Sequence, residues 1–269
     1  NGRWIGPTVA LRYPSTPDAS SYIRWSGAFV TFDSEEWSFP NTIQDPSEAL
    51  EKARAIGMHP DSLLILTLAP SLKWKTAADA VVDVGLQSEE VGVEWCMTAR
   101  LLPLDFGADE PVCMLEVSPE QNAAIFGDLL QEIRCYPLSL RWSPRDPIVF
   151  QGYGAVIGEH STEAWHRCKG VITTPTGRGF KAAVEGQGIY SRGGPAVKAV
   201  GGGLVGVFHR GHVSQFSDDG SGGESVRDPL GVALFTAFVE MKELLQELHG
   251  MRFWLAAEKI ADTTMDAEK

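Results

Sequence analysis

Short apolar runs interrupted by glycine follow one another between Pro147 and Phe208, and this pattern constrains the fold more than any other feature of the sequence. The runs are IVFQGYGAVIG, KGVITT, GFKAAVEG and GGLVGVFHRG. Short apolar segments at near-regular spacing are typical of strands in a β-barrel or β-sandwich. The 28 glycines and 16 prolines among 269 residues supply many turns, and they favour a strand-rich fold over a helical bundle.

The first half of the chain carries strand patterns of the same kind. Apolar, aromatic and β-branched residues dominate these segments, as expected of strands that are at least half buried. The predicted strands are YIRWSGAFVTF (Tyr22 to Phe32), SLLILTLA (Ser62 to Ala69), VGVEWCMTARLLPL and VCMLEV (Val112 to Val117).

Three segments predict helices. DPSEALEKARAIG has Asp45 as a cap, proline at the first helical position and Gly57 at the end. Ser118-Pro119-Glu120 repeats the cap and proline and predicts a second helix through NAAIFGDLLQEI. A third helix is expected from Asp228 and Pro229, because Leu234, Phe238, Met241, Leu245 and Leu248 keep to one face at helical spacing. Gly250 is a possible break in this helix.

The charge of the chain excludes several partners. The formal net charge is −12, and a phosphate backbone or an anionic lipid surface attracts basic faces rather than acidic ones. We therefore expect no nucleic-acid binding. The longest apolar runs are too short to span a bilayer.

The four cysteines, Cys96, Cys113, Cys135 and Cys168, show no CxxC spacing. They are expected to be reduced, packed thiols of an intracellular protein. The sequence begins with Asn, so a targeting peptide before it, and with it an organellar location, stays open.

Several pieces of the sequence, in this order, resemble the trypsin-like (chymotrypsin-fold) serine peptidases, including their Deg/HtrA-type intracellular members. They match a strand of the type Ser-Gly-hydrophobic-Val, a strand that ends in Leu-Thr-Ala-Ala-His, and the strand that follows the catalytic aspartate. The later pieces match a Gly-Tyr-Gly strand, a Gly-Val-Ile strand, the Ser-Gly-Gly-Pro turn and a Leu-Val-Gly-Val strand. The segments are SGAFV, ILTLAPS, PVCMLEV, Gly152 to Gly154, Gly170 to Ile172, Arg192 to Pro195, and Leu204 to Val207.

The resemblance implies an all-β fold with added helices. Two six-stranded antiparallel β-barrels of the trypsin-like fold would be followed by a C-terminal helix. The expected divisions are an N-terminal extension (1–20), a first barrel (21–118) with a helical insertion (31–61), an inter-barrel helix and linker (119–146), a second barrel (147–228), and a C-terminal helix and tail (229–269).

The resemblance also places a catalytic triad, and each of its three positions holds a residue that cannot perform the role. Pro70 stands where the histidine belongs, Pro111 where the aspartate belongs, and Arg192 where the nucleophilic serine belongs. Acyl transfer by such a triad needs a hydroxyl, a proton acceptor and a carboxylate. In addition, Tyr190 takes the place of the glycine that shapes the oxyanion hole. We therefore expect a degenerate member of the family, without peptidase activity.

An active alternative uses Ser191 as the nucleophile, in a loop that is one residue longer, with Asp109 as the acid. Its missing part is the base. His59 lies on the wrong end of its strand, and His160, His166, His209 and His212 lie in the second half of the chain, where the fold does not deliver one.

No cofactor or metal site is predicted. HSTEAWHRC and HRGH lack the ligand number and spacing of zinc sites, and the glycines do not follow the order of a Rossmann motif. A β-barrel of another type with coincidental motifs is a further alternative. Otherwise we expect a binding or structural subunit with protein partners in a larger complex. Its expected contact surfaces are the helix from Asp45 to Gly57, the insertion FDSEEWSFPNT with Trp37, and the C-terminal helix.

Overall fold

The computed structural model describes residues 6–14, 21–33, 35–37, 45–69, 80–88, 91–106, 111–123, 133–156, 162–185, 189–190, 192–213, 230–238 and 241–267. Within these residues the chain forms two β-barrels, one helix inserted in the first barrel and one long helix after the second barrel.

The first barrel is a closed ring of six antiparallel strands. The strands are β1 (Thr8–Pro14), β2 (Tyr22–Thr31), β3 (Leu63–Leu68), β4 (Val81–Ser88), β5 (Gly92–Leu101) and β6 (Val112–Val117). Around the ring their order is β1, β2, β3, β6, β5, β4, and β4 pairs with β1 to close it. A short strand, β7 (Tyr136–Pro137), pairs in parallel with β2 outside the ring.

The second barrel repeats this arrangement. Its strands are β8 (Pro147–Val156), β9 (Thr162–Thr176), β10 (Gly179–Glu185), β12 (Pro195–Lys198), β13 (Leu204–Val213) and β14 (Leu230–Ala237), and the short β11 (Ile189–Tyr190) pairs with β8 outside the ring. The ring order is β8, β9, β10, β14, β13, β12. Counted within its own barrel, each ring therefore runs first, second, third, sixth, fifth, fourth. Two antiparallel barrels of this kind are the trypsin-like fold, and the fold class expected from the sequence is confirmed.

The last strand of the second barrel corrects the sequence analysis. Leu230–Ala237, which was expected to begin the C-terminal helix, forms β14 between β10 and β13. Its alternate residues Ala233, Phe235 and Ala237 pack in one hydrophobic core inside the barrel, as residues on one face of a strand do. The helical spacing from Leu234 to Met241 is coincidental, because a helix here would leave the barrel open and the backbones of both neighbouring strands unpaired.

The first strand was also assigned differently from the sequence. Residues 8–14 were placed in an N-terminal extension, whereas they form β1 and complete the first ring. Val9, Ala10 and Leu11 are fully buried in it. The run is short and has prolines on either side, so its pattern alone does not predict a strand.

Two α-helices pack against each other on the outside of the barrels. Helix α1 (Pro46–Ala55) begins at Asp45, whose side chain accepts the Ser47 N–H at 2.9 Å, so the predicted cap is confirmed. Helix α2 (Lys242–Ala267) is continuous through Gly250, which is buried. Lys52 of α1 bonds to Glu247 of α2 at 2.7 Å, and Arg54 pairs with Glu258.

The end of α1 is fixed to the first barrel by a buried carboxylate. Glu116 of β6 is fully buried, accepts the backbone N–H of His59 at 2.8 Å and pairs with Arg100. The Arg100 guanidinium also donates to the carbonyls of Ile56 and Gly57, the latter at 2.5 Å. These bonds satisfy carbonyls that the helix leaves unpaired at its C-terminus.

The insertion before α1 contributes to the core at Trp37, whereas an exposed contact surface was expected there from the sequence. Trp37 lies in a 3₁₀ turn (Glu35–Trp37), is 4% exposed and donates its indole N–H to the carbonyl of Leu138 at 2.8 Å. Its ring packs edge-on against Phe32, with the centroids 5.2 Å apart. The insertion is therefore not an exposed contact surface at Trp37, although residues 38–44 lie outside the described part.

The segment between the barrels is described only at its ends. Residues 119–122 form a turn, while the predicted helix falls mainly on residues 124–132, which lie outside the described part. All four cysteines are reduced thiols outside any disulfide, as expected from their spacing, and Cys113 and Cys168 are buried. Neither α1 nor α2 combines the length and apolar character that crossing a membrane requires.

Candidate functional site between the two barrels

Ser26, at the centre of β2, joins the two barrels. Its hydroxyl donates to the carbonyl of Tyr153 in β8 at 2.8 Å and accepts the Tyr153 N–H at 2.7 Å. Its backbone N–H donates to the carbonyl of Arg192 at 2.8 Å, and its own carbonyl accepts the hydroxyl of Thr67 at 2.5 Å. Ser26 is fully buried, so all of these bonds are shielded from water.

The turn that resembles the nucleophile loop rests on this serine. Gly193 donates its N–H to the carbonyl of Phe208, and Gly194 accepts the Phe208 N–H, both at 2.8 Å. Two residues thus face one, and Gly193 has φ +79, which is the pattern of a β-bulge with glycine in the left-handed region. A Cβ on Gly193 would lie 2.3 Å from the Ser26 carbonyl oxygen and 2.5 Å from the Thr67 hydroxyl. Glycine is therefore required here by packing between the barrels.

Arg192, which the resemblance in sequence places at the nucleophile position, lies directly before this bulge. Its side chain is half-buried, and burial lowers the pKa of the guanidinium from its usual value. Cys113 of β6 is near enough to influence that pKa, so the side chain reaches toward the first barrel. Its Nε atom is shielded from solvent and has no hydrogen-bond partner among the described residues. A protonated guanidinium has no lone pair with which to attack a carbonyl.

Pro111, which the resemblance in sequence places at the position of the acid, contributes a backbone hydrogen bond. Pro111 accepts the Ala69 N–H on its carbonyl oxygen at 2.6 Å, which joins the end of β3 to the start of β6. Proline offers no carboxylate to orient an imidazole. Three further candidates, Pro70, Asp109 and Ser191, lie outside the described residues, so their assignments stay predictions.

Tyr190 stands in the two-residue strand β11, where it pairs with Ala155 of β8. In the part of the chain that the structure describes, Arg145 is the one non-glycine residue with a positive φ. Tyr190 therefore does not adopt the left-handed backbone that glycine allows at the corresponding place in the motif.

Among the described histidines, His209 lies near enough to Arg192 for the two side chains to interact, although the sequence predicts no base in this half of the chain. His209 lies in β13 at a second bulge, where the register shifts between Phe208 and Arg210. The pKa of His209 is lowered by burial first, and then by the positive charges of Arg192 and Arg210. The spacing could have indicated this residue, because His209 follows the Leu204 to Val207 strand that pairs with the glycine turn.

The other described histidines lie elsewhere. His59 is at the far end of β3, bonded to Glu116 and Asp61 through backbone and side chain. His166 packs against Phe150 inside the second barrel, where burial lowers its pKa to about 4. His249 stacks on Phe32, with the ring centroids 5.0 Å apart. His160 and the side chain of His212 lie outside the described residues.

Further polar contacts hold the barrels around this site. Gln151 of β8 accepts the hydroxyl of Thr8 at 3.1 Å and that of Tyr136 at 3.0 Å. Trp165 of β9 donates its indole N–H to the carbonyl of Gly92, the first residue of β5, at 2.6 Å. These contacts join the two barrels around Ser26.

Comparison with known proteins gives structural similarity without sequence similarity. No protein-family model matches the sequence, and no curated protein matches it. The chain is similar in structure to the thermostable serine protease AL20 from an extremophilic microorganism, with a TM-score of 0.45 and 9% identity over 92% of this chain and 95% of that one. It is also similar to a glycine-to-glutamine mutant of human heparin binding protein (CAP37), with a TM-score of 0.49 and 12% identity over 89% of both chains. The fold assignment rests on the strand order of the two rings.

Proposed function

We propose that this protein is a non-catalytic member of the trypsin-like fold that acts as a binding or structural subunit of a larger assembly. The observation that carries the proposal is that Arg192, the residue that the sequence resemblance aligns with the nucleophile, is a half-buried cation. Its carbonyl is bonded to Ser26 and its neighbour Gly193 is wedged against the first barrel. These contacts support a structural role for the turn, which holds the two barrels together without any part in catalysis.

The charges around His209 also favour a non-catalytic role. A triad needs a histidine that gains a proton during the reaction, stabilised by a carboxylate. His209 is the histidine near Arg192, and the two neighbouring arginine charges oppose its protonation. An imidazole in this surrounding is a poor general base at neutral pH.

The two helices offer a surface for partners. α1 and α2 are added outside the barrels, and α2 leaves Phe253 44% exposed and Ile260 67% exposed. These residues are seven positions apart, so they lie on the same side of the helix. Exposed apolar side chains on one helix face support a role in protein contacts.

A fluorophosphonate probe tests the proposal directly, because it modifies activated serine hydroxyls covalently. We expect no labelling of the wild-type protein, and no peptide hydrolysis after Arg192→Ser, since the base would still be absent. A trypsin-like peptidase labelled in parallel provides the positive control for the probe.

The alternative is a divergent serine endopeptidase that uses Ser191. Stoichiometric labelling that disappears in Ser191→Ala would support this alternative and overturn the proposed function. Asp109→Asn would then be the next variant, because the alternative assigns the acid to that residue.

A further inference from the structure

A cavity of about 330 Å³ lies on the outer wall of the first barrel. Arg12 of β1, Asp83 of β4 and Thr98 of β5 line it, and they stand in one row across the three strands. Their neighbours along the strands pack in the core of this barrel, so the row faces outward. The described residues around the cavity come from the first barrel and from the turn at 121–123. The cavity is therefore separate from the turn at Arg192.

Arg12 is held in one orientation on the wall of this cavity. Its guanidinium carbon lies 4.6 Å from the ring centroid of Tyr22 and 4.4 Å from that of Trp95. Its Nε donates to Oδ2 of Asp83 at 2.7 Å. Among the described residues neither terminal nitrogen of Arg12 has a hydrogen-bond partner, so their N–H groups remain for a ligand. A side chain fixed in this way loses little freedom on binding, which favours affinity.

The wall at Trp95 depends on a β-bulge and on a glycine. The register of β4 and β5 shifts between Val84 and Gly85, which gives β5 one extra residue beside Trp95, and bulges of this kind redirect side chains. The Trp95 ring lies against Gly85, where a Cβ would stand 2.9 Å from the ring atom Cε3. A larger residue at this place in β4 would displace the ring that supports Arg12.

A second wall is fixed by the amide of Asn122, which is 6% exposed. Its oxygen accepts the N–H of Thr98 at 2.8 Å, and its nitrogen donates to the carbonyls of Thr98 at 3.0 Å and Ser118 at 2.9 Å. The turn is thereby bonded to β5 as a neighbouring strand would be. Gln121, directly before Asn122, also lines the cavity and is exposed, so its side-chain amide is accessible to a ligand.

The charges of the lining cancel. Of the described residues around the cavity, Arg12 and Asp83 are the charged ones, and they are bonded to each other. A charged ligand would therefore lose its hydration without meeting a net opposite charge. The lining still offers hydrogen-bond donors at Arg12, acceptors at Asp83 and both at Gln121, beside the apolar surface of Trp95 and Met97. These properties match a flat, neutral molecule that both accepts and donates hydrogen bonds.

We propose that this cavity binds a small aromatic carboxamide. The carbonyl oxygen of the ligand accepts from the terminal N–H groups of Arg12, and its amide N–H groups donate to Asp83 and Gln121. The volume of about 330 Å³ is at the lower end of the range for small-molecule sites, so a ligand with a single ring fits. This inference goes beyond the proposed function and does not depend on it, because it concerns other residues.

Four single-ring probes of similar shape test the proposal. They are benzamide, the anion benzoate, the cation benzylammonium, and acetophenone, which has the carbonyl but lacks the amide N–H groups. Binding is followed by NMR through the indole N–H signal of Trp95, which is assigned by its loss in Trp95→Phe. We expect benzamide to bind with a Kd of about 10 mM or below, in the range for so small a molecule. Each of the other probes is expected to bind about fivefold or more weakly, because it loses a hydrogen bond or brings an unpaired charge.

Variants of the lining show whether the probe occupies this cavity. Gln121→Ala is expected to weaken benzamide binding about threefold or more. Arg12→Lys keeps the charge but loses the planar group, and it is expected to remove the preference for benzamide. Gln87→Ala is the matched control, because Gln87 is a partly exposed amide side chain of β4 that lies outside the cavity lining. Asp83→Asn leaves the charge of Arg12 uncompensated, so the preference should change to benzoate, by about tenfold.

Equal or tighter binding of any other probe to the wild-type protein, or a Trp95 signal that no probe shifts, overturns the inference. A preference for benzamide that survives both Gln121→Ala and Arg12→Lys also overturns it, because the probe would then bind elsewhere. A preference that Asp83→Asn leaves unchanged contradicts the argument from charge and overturns the assignment of the ligand class. Labelling of Ser191 by the fluorophosphonate probe bears on the proposed function alone.

Discussion

The hydroxyl of Ser26 makes two hydrogen bonds to the backbone of Tyr153, one donated at 2.8 Å and one accepted at 2.7 Å. One small side chain in the first barrel thereby satisfies both the carbonyl and the N–H of a residue in the second barrel. The hydroxyl of Ser26 thus takes the place that a neighbouring strand's backbone would have in bonding to Tyr153. The same residue also fixes the turn at Arg192, because its backbone N–H donates to the Arg192 carbonyl.

Ser26→Ala is expected to lower the free energy of unfolding by about 2–4 kcal/mol, since it leaves two buried backbone groups of Tyr153 without their partner. Urea denaturation monitored by tryptophan fluorescence measures the change. Ser62→Ala is the control: Ser62 is 1% exposed, and its hydroxyl bonds only to the nearby carbonyl of His59. The control is expected to lose about 1 kcal/mol, and equal losses in the two variants would contradict the special role of Ser26.

Gly193→Ala is expected to be strongly destabilising, by about 4 kcal/mol or more, because the new Cβ collides with backbone and side-chain atoms of the first barrel. Gly201→Ala separates this effect from backbone strain. Gly201 has φ +86 with nothing within 4 Å of its Cβ position, so this variant loses only about 1 kcal/mol. Chemical denaturation of both proteins makes the comparison, and a similar small loss at position 193 would show that the barrels do not press on the turn.

Arg192→Met is expected to leave the free energy of unfolding unchanged or to raise it by about 1 kcal/mol, because the half-buried charge has no described partner. Arg100→Met makes the contrast, since it leaves the buried Glu116 without its cation. We expect that variant to lose about 3 kcal/mol. The pair is measured by urea denaturation at pH 7, and a clear loss in Arg192→Met would reveal an anionic partner within the chain.

Arg192→Met also has an expected effect on titration. The Arg192 charge is one of the causes that lower the pKa of His209, so its removal moves that pKa upward toward the usual value for histidine. Burial and Arg210 still act, and therefore the shift is partial. NMR titration of the histidine ring signals detects it, with Arg141→Met as a control that leaves the signal of His209 in place.

His166 makes stability depend on pH. Its pKa is about 4 in the folded protein, lowered by burial, against 6.5 as the ordinary value. The unfolded chain therefore binds a proton first as pH falls, so this contribution is complete above pH 6.5 and is lost between pH 6.5 and pH 4. The loss reaches about 2 kcal/mol by pH 5.

His166→Gln removes this part of the pH dependence. The measurement compares the free energy of unfolding at pH 7.5 and pH 5.0 in both proteins, and we expect the variant to lose less on acidification. The other histidines with lowered pKa, His209 and His249, are present in both proteins and cancel in the comparison. Identical losses would mean that His166 is protonated in the folded state at pH 5.

The strands with strong side-chain patterns were predictable from the sequence. Continuous runs of apolar and β-branched residues predict the strands β2, β3 and β6. The cap residue and the proline after it predict the start of α1. β14 was not predictable in the same way, because Leu234, Phe238 and Met241 fit a helix as well as a strand. What decides between them is the closure of the barrel by β10 and β13, and long-range pairing of this kind leaves no local signal.

Part of the candidate site followed from the sequence as well. The glycine turn and the arginine before it were identified from the sequence. The contact of Gly193 with Ser26 and Thr67 was not, because it joins residues more than a hundred positions apart. His209 was set aside because its distance from Arg192 depends on a bulge, and an added residue in a strand cannot be recognised without its partner strand.

The left-handed glycine at position 193 has a consequence for how such sequences are interpreted. Its tolerance for other residues is set by the carbonyl of Ser26 on the opposite barrel, not by an attacking hydroxyl. A protein of this fold without hydrolytic activity would thus still need the glycine at this position, because a larger residue would push the two barrels apart. In this chain the left-handed glycine is explained by the docking of the two barrels, so its presence alone is not evidence of hydrolysis.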